Sequence, residues 1–478
     1  MVESPRAGVP ARGRPRRALR AVAAPPAHAK GEPSVTTSPY GGPAVFGYET
    51  DLPLRRAAQI SVHTSPLATL GGKDAGGMNV YIRELACNVA RLGVPVDVFT
   101  RRTSPDTPEV VSPCEGVNVV AITAGPPAPL DKNDLFRFLP EFAANMALYS
   151  LREGVRYDAV HAHYWLSGWA AHLVRRYWDT PFVQMFHTTA HMKNAVAGTA
   201  DRETEQRGRV ERQLLSLADS IIAANPDERA DLVWRMGAAN EKVCTIPPGV
   251  DLDVFRPHDR AACRERYGLE TNEPVVLFCG RIDPIKGIDT LIDALALLAD
   301  EPDTPTPRVL FIGGDLDADG LPTGPLQGVV SRVADLGLSD QFRFLGSLPQ
   351  DELPLAYSAA DVVAVPSRYE SFGLVAVESL ASGTPVVASR AGGLKFTVDE
   401  GVSGLLVRMG SAPALADGLA AVLRDDAFRA ELAANARPSV ERFAWPSVAA
   451  SVLTVYKRLA AGHRSNLCEE TAIFRAGD

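Results

Sequence analysis

The sequence predicts an α/β protein built as two doubly wound domains that face a central cleft. Three observations carry this. From residue 56 onward, short apolar runs alternate with amphipathic stretches, the pattern of βαβ units around a parallel sheet. The alternation breaks at Pro247-Pro248-Gly249-Val250-Asp251 and a charged stretch up to Asn272, then starts again. The chain also has 478 residues, 46% of them hydrophobic, more than one ordinary core accommodates.

In the first series, the runs at 58–62, 96–100, 117–122, 159–163, 182–186, 220–224 and 242–246 read as strands. Residues 78–92 place Val80, Leu85, Val89 and Leu92 near one stripe, close to the helical period of about 3.6. The second series has runs at 275–279, 308–312, 342–345, 362–365, 385–388 and 404–407, and a helical stretch at 446–460 closes it. The expected organisation is therefore a tail at 1–54, domains at 55–250 and 251–440, a C-terminal helix at 441–462 and a second tail at 463–478. Arg6, Arg12, Arg14, Arg16, Arg17 and Arg20 lie among Pro, Ala and Gly with no apolar core segment, which predicts a disordered tail rather than a secretory signal.

A net charge of −8 gives no basic excess for nucleic-acid binding. Cys87, Cys114, Cys244, Cys263, Cys279 and Cys468 contain no C-x-x-C pair, so they are expected as reduced thiols in the cytoplasm. No apolar run approaches the roughly 18 residues of a membrane helix. The expected partners are small-molecule substrates, and a homodimer is left open.

Ligands of doubly wound sheets bind at the carboxyl ends of the strands, so the loops there carry the chemistry. Gly71-Gly72-Lys73-Asp74-Ala75-Gly76-Gly77-Met78-Asn79-Val80-Tyr81 follows the first strand and opens a helix. Its glycines allow close backbone approach, and a helix start offers N–H groups to a phosphate. A plain strand-to-helix turn reads the same way. The stretch matches neither G-x-G-x-x-G nor Walker A, which disfavours dinucleotide oxidoreductases and kinases.

Gly280-Arg281-Ile282-Asp283-Pro284-Ile285-Lys286-Gly287 follows the strand at 275–279. An Arg fork and a Lys point charge at a strand end suit a diphosphate. Pro366-Ser367-Arg368-Tyr369-Glu370-Ser371-Phe372-Gly373-Leu374-Val375-Ala376-Val377-Glu378 follows the strand at 362–365. Its two carboxylates suit acid/base work or hydrogen bonds from sugar and ribose hydroxyls. Glu370 is equally placed to cap the helix.

The motifs E-x-F-G-L-V-x-x-E and G-R-x-x-x-x-K-G together resemble the retaining glycosyltransferase family 4, over residues 56–460. The resemblance implies the GT-B fold, two Rossmann-like domains around a cleft, with the last helix crossing back to the first. It implies Arg281 and Lys286 on the donor diphosphate, Glu378 on the ribose and Glu370 on the transferred sugar, with Gly77, Phe372, Gly373 and Leu374 completing the donor site. His63-Thr64-Ser65-Pro66-Leu67, Gly76-Gly77-Met78-Asn79-Val80-Tyr81 and His163-Tyr164-Trp165-Leu166-Ser167-Gly168 resemble family members that take UDP-sugars and phosphorylated acceptors such as inositol phosphate. That implies His63, Asp74, Gly76, Asn79, Lys132, Tyr164, Thr188 and Arg207 for the acceptor, and His187 beside the transferred sugar. His187, Arg281, Lys286 and Glu370 form the implied catalytic set. A UDP-sugar is the expected co-substrate, with no tightly bound cofactor and no metal requirement. The chain departs from these members at Thr189-Ala190-His191-Met192, at Gly208 after Arg207, and at Asp315-Leu316-Asp317-Ala318-Asp319-Gly320-Leu321.

Rival readings start from other residues. His161, His163, His187 and His191 sit at the ends of two strands, where a metal is conceivable. Asp315, Asp317 and Asp319 have D-x-D spacing but suit a solvated loop. An acceptor in a membrane lipid such as a phosphoinositide needs a basic surface, for which the Arg-rich tail is the candidate. A non-catalytic nucleotide-sugar-binding module requires missing donor residues, and none of the expected set is missing.

Overall fold

The computed structural model describes residues 54–68, 76–196, 202–299, 301, 304–465 and 467–468. Two sheets organise them. The first contains β1 (Ala57–Ser61), β2 (Val96–Arg101), β3 (Val110–Cys114), β4 (Val117–Ile122), β5 (Ala159–His163), β6 (Phe182–Met185), β7 (Ser220–Ala223) and β8 (Val243–Thr245). The second follows with β9 (Val275–Cys279) and β10 (Arg308–Ile312). After a small hairpin of β11 (Asp315–Leu316) and β12 (Pro322–Thr323), it resumes with β13 (Phe342–Gly346), β14 (Val362–Val365), β15 (Val386–Ser389) and β16 (Gly404–Val407).

The first sheet runs β3-β4-β2-β1-β5-β6-β7-β8 and the second β13-β10-β9-β14-β15-β16. All pairs are parallel except β3 with β4. The strand order turns back between β1 and β5 in the first sheet and between β9 and β14 in the second. Such reversals open a crevice at the carboxyl ends of the strands. The four loops singled out in the sequence follow these four strands.

Successive strand residues point to opposite faces, and the cores divide accordingly. Ala58, Ile60, Val160 and Ala162 pack one face of the first sheet against the helices Leu139–Arg152 and Tyr164–Trp178. On the other face, Ala57, Val96, Val98 and Ala159 belong to a cluster that continues into Leu277, Val363 and Val386 of the second sheet. The joining residues include Trp445, Val448, Val452 and Tyr456 of the helix Trp445–Ala460. That helix packs on the helix Gly77–Arg91 and on β5. The chain thus returns from the second sheet to the first. At the crossing, Val250 N–H donates to Phe443 O at 2.9 Å and Trp445 N–H to Val250 O at 3.2 Å.

Two features differ from the sequence reading. Cys87 is bonded to Cys114 and Cys244 to Cys468, with Cα atoms 6.1 and 5.3 Å apart, so four of the six cysteines are not the reduced thiols expected. Partners 27 and 224 residues apart leave no spacing signature. The antiparallel β3 was not anticipated: it is largely exposed and contains Pro113, which an edge strand tolerates. The acidic segment is the exposed loop expected: it runs from β11 toward β12, and Asp317 Oδ1 accepts from the N–H groups of Asp319 and Leu321 at 3.0 and 2.8 Å.

Candidate active site

The loops after β9 and β14 meet on the second sheet. Gly287 has φ +68°, and a Cβ there would lie 2.1 Å from Pro366 O. Only glycine brings the two loops this close. Lys286 Nζ consequently reaches Glu370 Oε2 at 2.6 Å, and Ser367 Oγ lies 3.4 Å from the same oxygen. Arg281 is half exposed, 3.7 Å from Asp283 Oδ2. Gly373 (φ +97°) opens the helix Leu374–Ala381, whose first N–H groups lack intrahelical acceptors. Phe372 turns its ring into the core, edge-on to Phe443 at 5.2 Å. Glu378 is buried one turn along that helix and accepts from Tyr357 Oη at 3.0 Å. Burial pushes its carboxyl up to about 7.

Two contributors here escaped the sequence reading. Tyr357 holds Glu378. Gly392 and Gly393, after β15, leave no room for a Cβ beside the backbone of Glu370 and Phe372, and Gly393 N–H donates to Glu370 O at 2.8 Å. A Gly-Gly pair just past a strand was the available signal.

On the first sheet, the loops after β1, β5 and β6 converge. Tyr164 and His187 adopt φ +75° and +59°, a strained region for such side chains that clusters at functional sites. Arg207, on the helix Glu205–Leu217, is fully buried. It donates to Tyr164 Oη at 2.9 Å and to Thr188 O and Oγ1 at 2.5 and 3.2 Å. Its Nε reaches Glu211 at 2.7 Å. Lys132 lies 3.7 Å, Lys193 2.8 Å and Arg207 3.0 Å from Glu203 Oε1. The His63 ring lies against that of Tyr164, centroids 4.5 Å apart and tilted by 39°. Burial, then Lys132, His187 and Arg207, lower its imidazole to about 3.

His187 Nε2 lies 3.1 Å from His163 Nδ1. Burial lowers both rings well below 6.5, that of His187 to about 3, so near neutrality one is donor and the other acceptor. His161 Nδ1 instead meets Tyr456 Oη at 2.8 Å, and His191 is exposed. Among the described residues, no group of three or more His, Cys, Asp or Glu is arranged to hold a metal. Asn79 is occupied locally: it donates to Thr64 Oγ1 and Ser65 O, both at 2.6 Å, and accepts from Gly76 N–H at 2.9 Å. It therefore fastens the loop before its own helix. Asp74 and the rest of Gly71–Ala75 lie outside the described residues.

The carboxyl ends of the two sheets meet. Tyr369 Oη contacts Met192 Sδ at 3.1 Å, Asn225 Nδ2 donates to Ser371 O, and Lys395 pairs with Asp227. A Cβ on Gly77 would lie 2.9 Å from Leu374 Cδ1. The loops expected to hold donor and acceptor are thus brought together between the two sheets, a favoured place for a small-molecule site.

The chain is similar to known proteins over most of its length. Residues 75–254 match the family model described as Glycosyltransferase Family 4, and residues 259–439 that of Glycosyl transferases group 1. The D-inositol 3-phosphate glycosyltransferase of Xylanimonas cellulosilytica is 44% identical over 412 residues, 84% of this chain and 96% of the relative. The chain belongs to glycosyltransferase family 4. A family 4 relative of the same description from Saccharomonospora viridis is 42% identical over 430 residues, 89% of this chain and 99% of its own. Among solved structures, the sucrose-phosphate synthase of Thermosynechococcus elongatus matches with a TM-score of 0.78 and 35% identity, over 86% of this chain and 100% of that one. This family 4 member is a glycosyltransferase of the GT-B fold. No helix among the described residues is long and apolar enough to cross a membrane.

Proposed function

We propose that this glycosyltransferase moves a sugar from a nucleotide-sugar, a UDP-sugar, to a small phosphorylated polyol or sugar, with inositol phosphate the first candidate, and that it retains the anomeric configuration. The observation that carries the reading is the pairing of two cationic sites in one cleft. Lys286, beside Glu370, and Arg281 follow one switch point. Lys132, Lys193 and Arg207 cluster near the other. The first set suits a diphosphate leaving group, the second a phosphomonoester. The names of the similar proteins, D-inositol 3-phosphate glycosyltransferase and sucrose-phosphate synthase, agree with a phosphate at the acceptor end.

In this mechanism, Arg281 and Lys286 meet the negative charge that grows on the departing diphosphate, an electrostatic stabilisation of the transition state. Glu378 takes the ribose hydroxyls and Glu370 the transferred sugar. His187, fixed by His163, lines the sugar's side of the cleft. The acceptor hydroxyl attacks from the face the diphosphate leaves, and a phosphate oxygen of the leaving group takes its proton. Contacts between the two carboxyl ends, such as Tyr369 with Met192, help exclude water and so limit donor hydrolysis.

The test crosses UDP-GlcNAc, UDP-glucose and GDP-mannose with inositol phosphate and fructose 6-phosphate and measures nucleotide release. Acceptor-dependent release with a UDP-sugar supports the reading. Absence of release with every pair, from folded protein, overturns it.

A further inference from the structure

Arg207 is already ringed by protein oxygens. A guanidinium carries five N–H bonds, and five oxygens stand against this one. Glu211 Oε1 lies at 2.7 Å, Tyr164 Oη at 2.9 Å, Glu203 Oε1 at 3.0 Å, and Thr188 O and Oγ1 at 2.5 and 3.2 Å. Four of these are built into the surrounding structure. Glu211 is buried and also accepts from Ala190 N–H at 2.8 Å. Tyr164 and Thr188 flank the turns after β5 and β6. The fifth, Glu203, lies just before the N-cap Thr204 of the helix Glu205–Leu217. Its backbone is anchored by an N–H bond to Asn194 Oδ1 at 2.8 Å, so a rotation of its side chain frees the guanidinium without moving the helix.

The same Glu203 oxygen faces Lys193 at 2.8 Å and Lys132 at 3.7 Å. One carboxylate oxygen thus gathers the three cations that the proposed function assigns to the acceptor's phosphate. We propose that Glu203 is an internal counter-ion that occupies the acceptor-phosphate site and is displaced by the phosphate when the acceptor binds. The proposal rests on the reading of the acceptor given above and deepens it, because it supplies a source of selectivity. A phosphate dianion brings more charge and more acceptor oxygens than the carboxylate it replaces, and balances the three cations left with Glu211. An acceptor without the phosphate has nothing to exchange for the ion pairs it must break. Against burial, which would raise it, Arg207, Lys193 and Lys132 hold the Glu203 carboxyl down to about 2, so it is ionised at any ordinary assay pH.

Glu203→Gln keeps the shape and removes the charge. Titration of inorganic phosphate into the full-length protein is expected to give about tenfold tighter binding to this variant than to wild type. Equal or weaker binding by folded E203Q overturns the proposal, since Glu203 would then only order the cations. A second measurement does not depend on the variant's folding. In crystals of wild type soaked in inorganic phosphate, the ion should contact Arg207 with the Glu203 carboxylate turned away. Phosphate bound while the Glu203–Arg207 pair stays intact also overturns it. The acceptor reading is tested separately, by wild-type transfer to phosphorylated and dephosphorylated acceptors. If wild type demands the phosphate while E203Q binds phosphate like wild type, the counter-ion fails and the reading stands.

Discussion

Lys286 and Glu370 stand 84 residues apart in the chain and 2.6 Å apart in space. Both were legible as strand-end residues, but their contact was not, because it depends on where two loops fold. Lys286→Ala is expected to lower kcat/KM by about two to three orders of magnitude with little change in melting temperature; near-normal turnover would remove Lys286 from the chemistry. Buried residues resisted sequence reading more. Phe372 lies inside the donor motif, yet its ring belongs to the core. Asn79 sits in the acceptor motif and fastens a loop. Type and position alone do not say which way a side chain points. Glu228 was unremarked, and burial pushes its carboxyl up to about 7 from an ordinary 4.5. The folded state then holds the proton more tightly than the unfolded chain, so stability is lost as pH rises from about 4.5 through about 7 and stays lost above. Glu228→Gln keeps an oxygen for Ala224 N–H, which donates to Glu228 Oε2 at 2.8 Å. Denaturant titrations should find it near wild type at about pH 4 and roughly 1–3 kcal/mol more stable at about pH 8. A variant less stable at the higher pH would contradict this.

Most strands follow from the alternation of apolar runs, and both sheets contain the runs expected. What the sequence did not signal was an element outside the core: β3 is largely exposed and interrupted by Pro113, so nothing in its pattern sets it apart from a loop. The loops are shaped by glycines whose roles are steric. At Gly287, alanine would face both φ +68° and the carbonyl of Pro366. Gly287→Ala is therefore expected to cost about 2–4 kcal/mol in urea unfolding and to raise the donor KM; a variant as stable as wild type would mean the two loops separate at little cost.

Across the whole molecule, one core cluster joins both sheets through the helix Trp445–Ala460, and the chain end beyond it is tied to β8 by Cys244–Cys468. Closing a loop of 224 residues restricts the unfolded chain, so Cys468→Ser should lower stability by about 2–4 kcal/mol, and a reducing agent, which also opens Cys87–Cys114, should lower wild type at least as far. An unchanged melting temperature under both treatments would show that the bond contributes nothing to the fold. The two-sheet architecture was legible because each half repeats the same alternation. The closure of the cleft was not, since contacts such as Asn225 with Ser371 and Lys395 with Asp227 join residues more than a hundred positions apart. Sugar transfer to a phosphorylated acceptor is tested most directly by comparing kcat/KM for inositol phosphate and for inositol itself, with one UDP-sugar at saturation. A preference of about a hundredfold or more for the phosphorylated acceptor is expected; equal use of the two would contradict it.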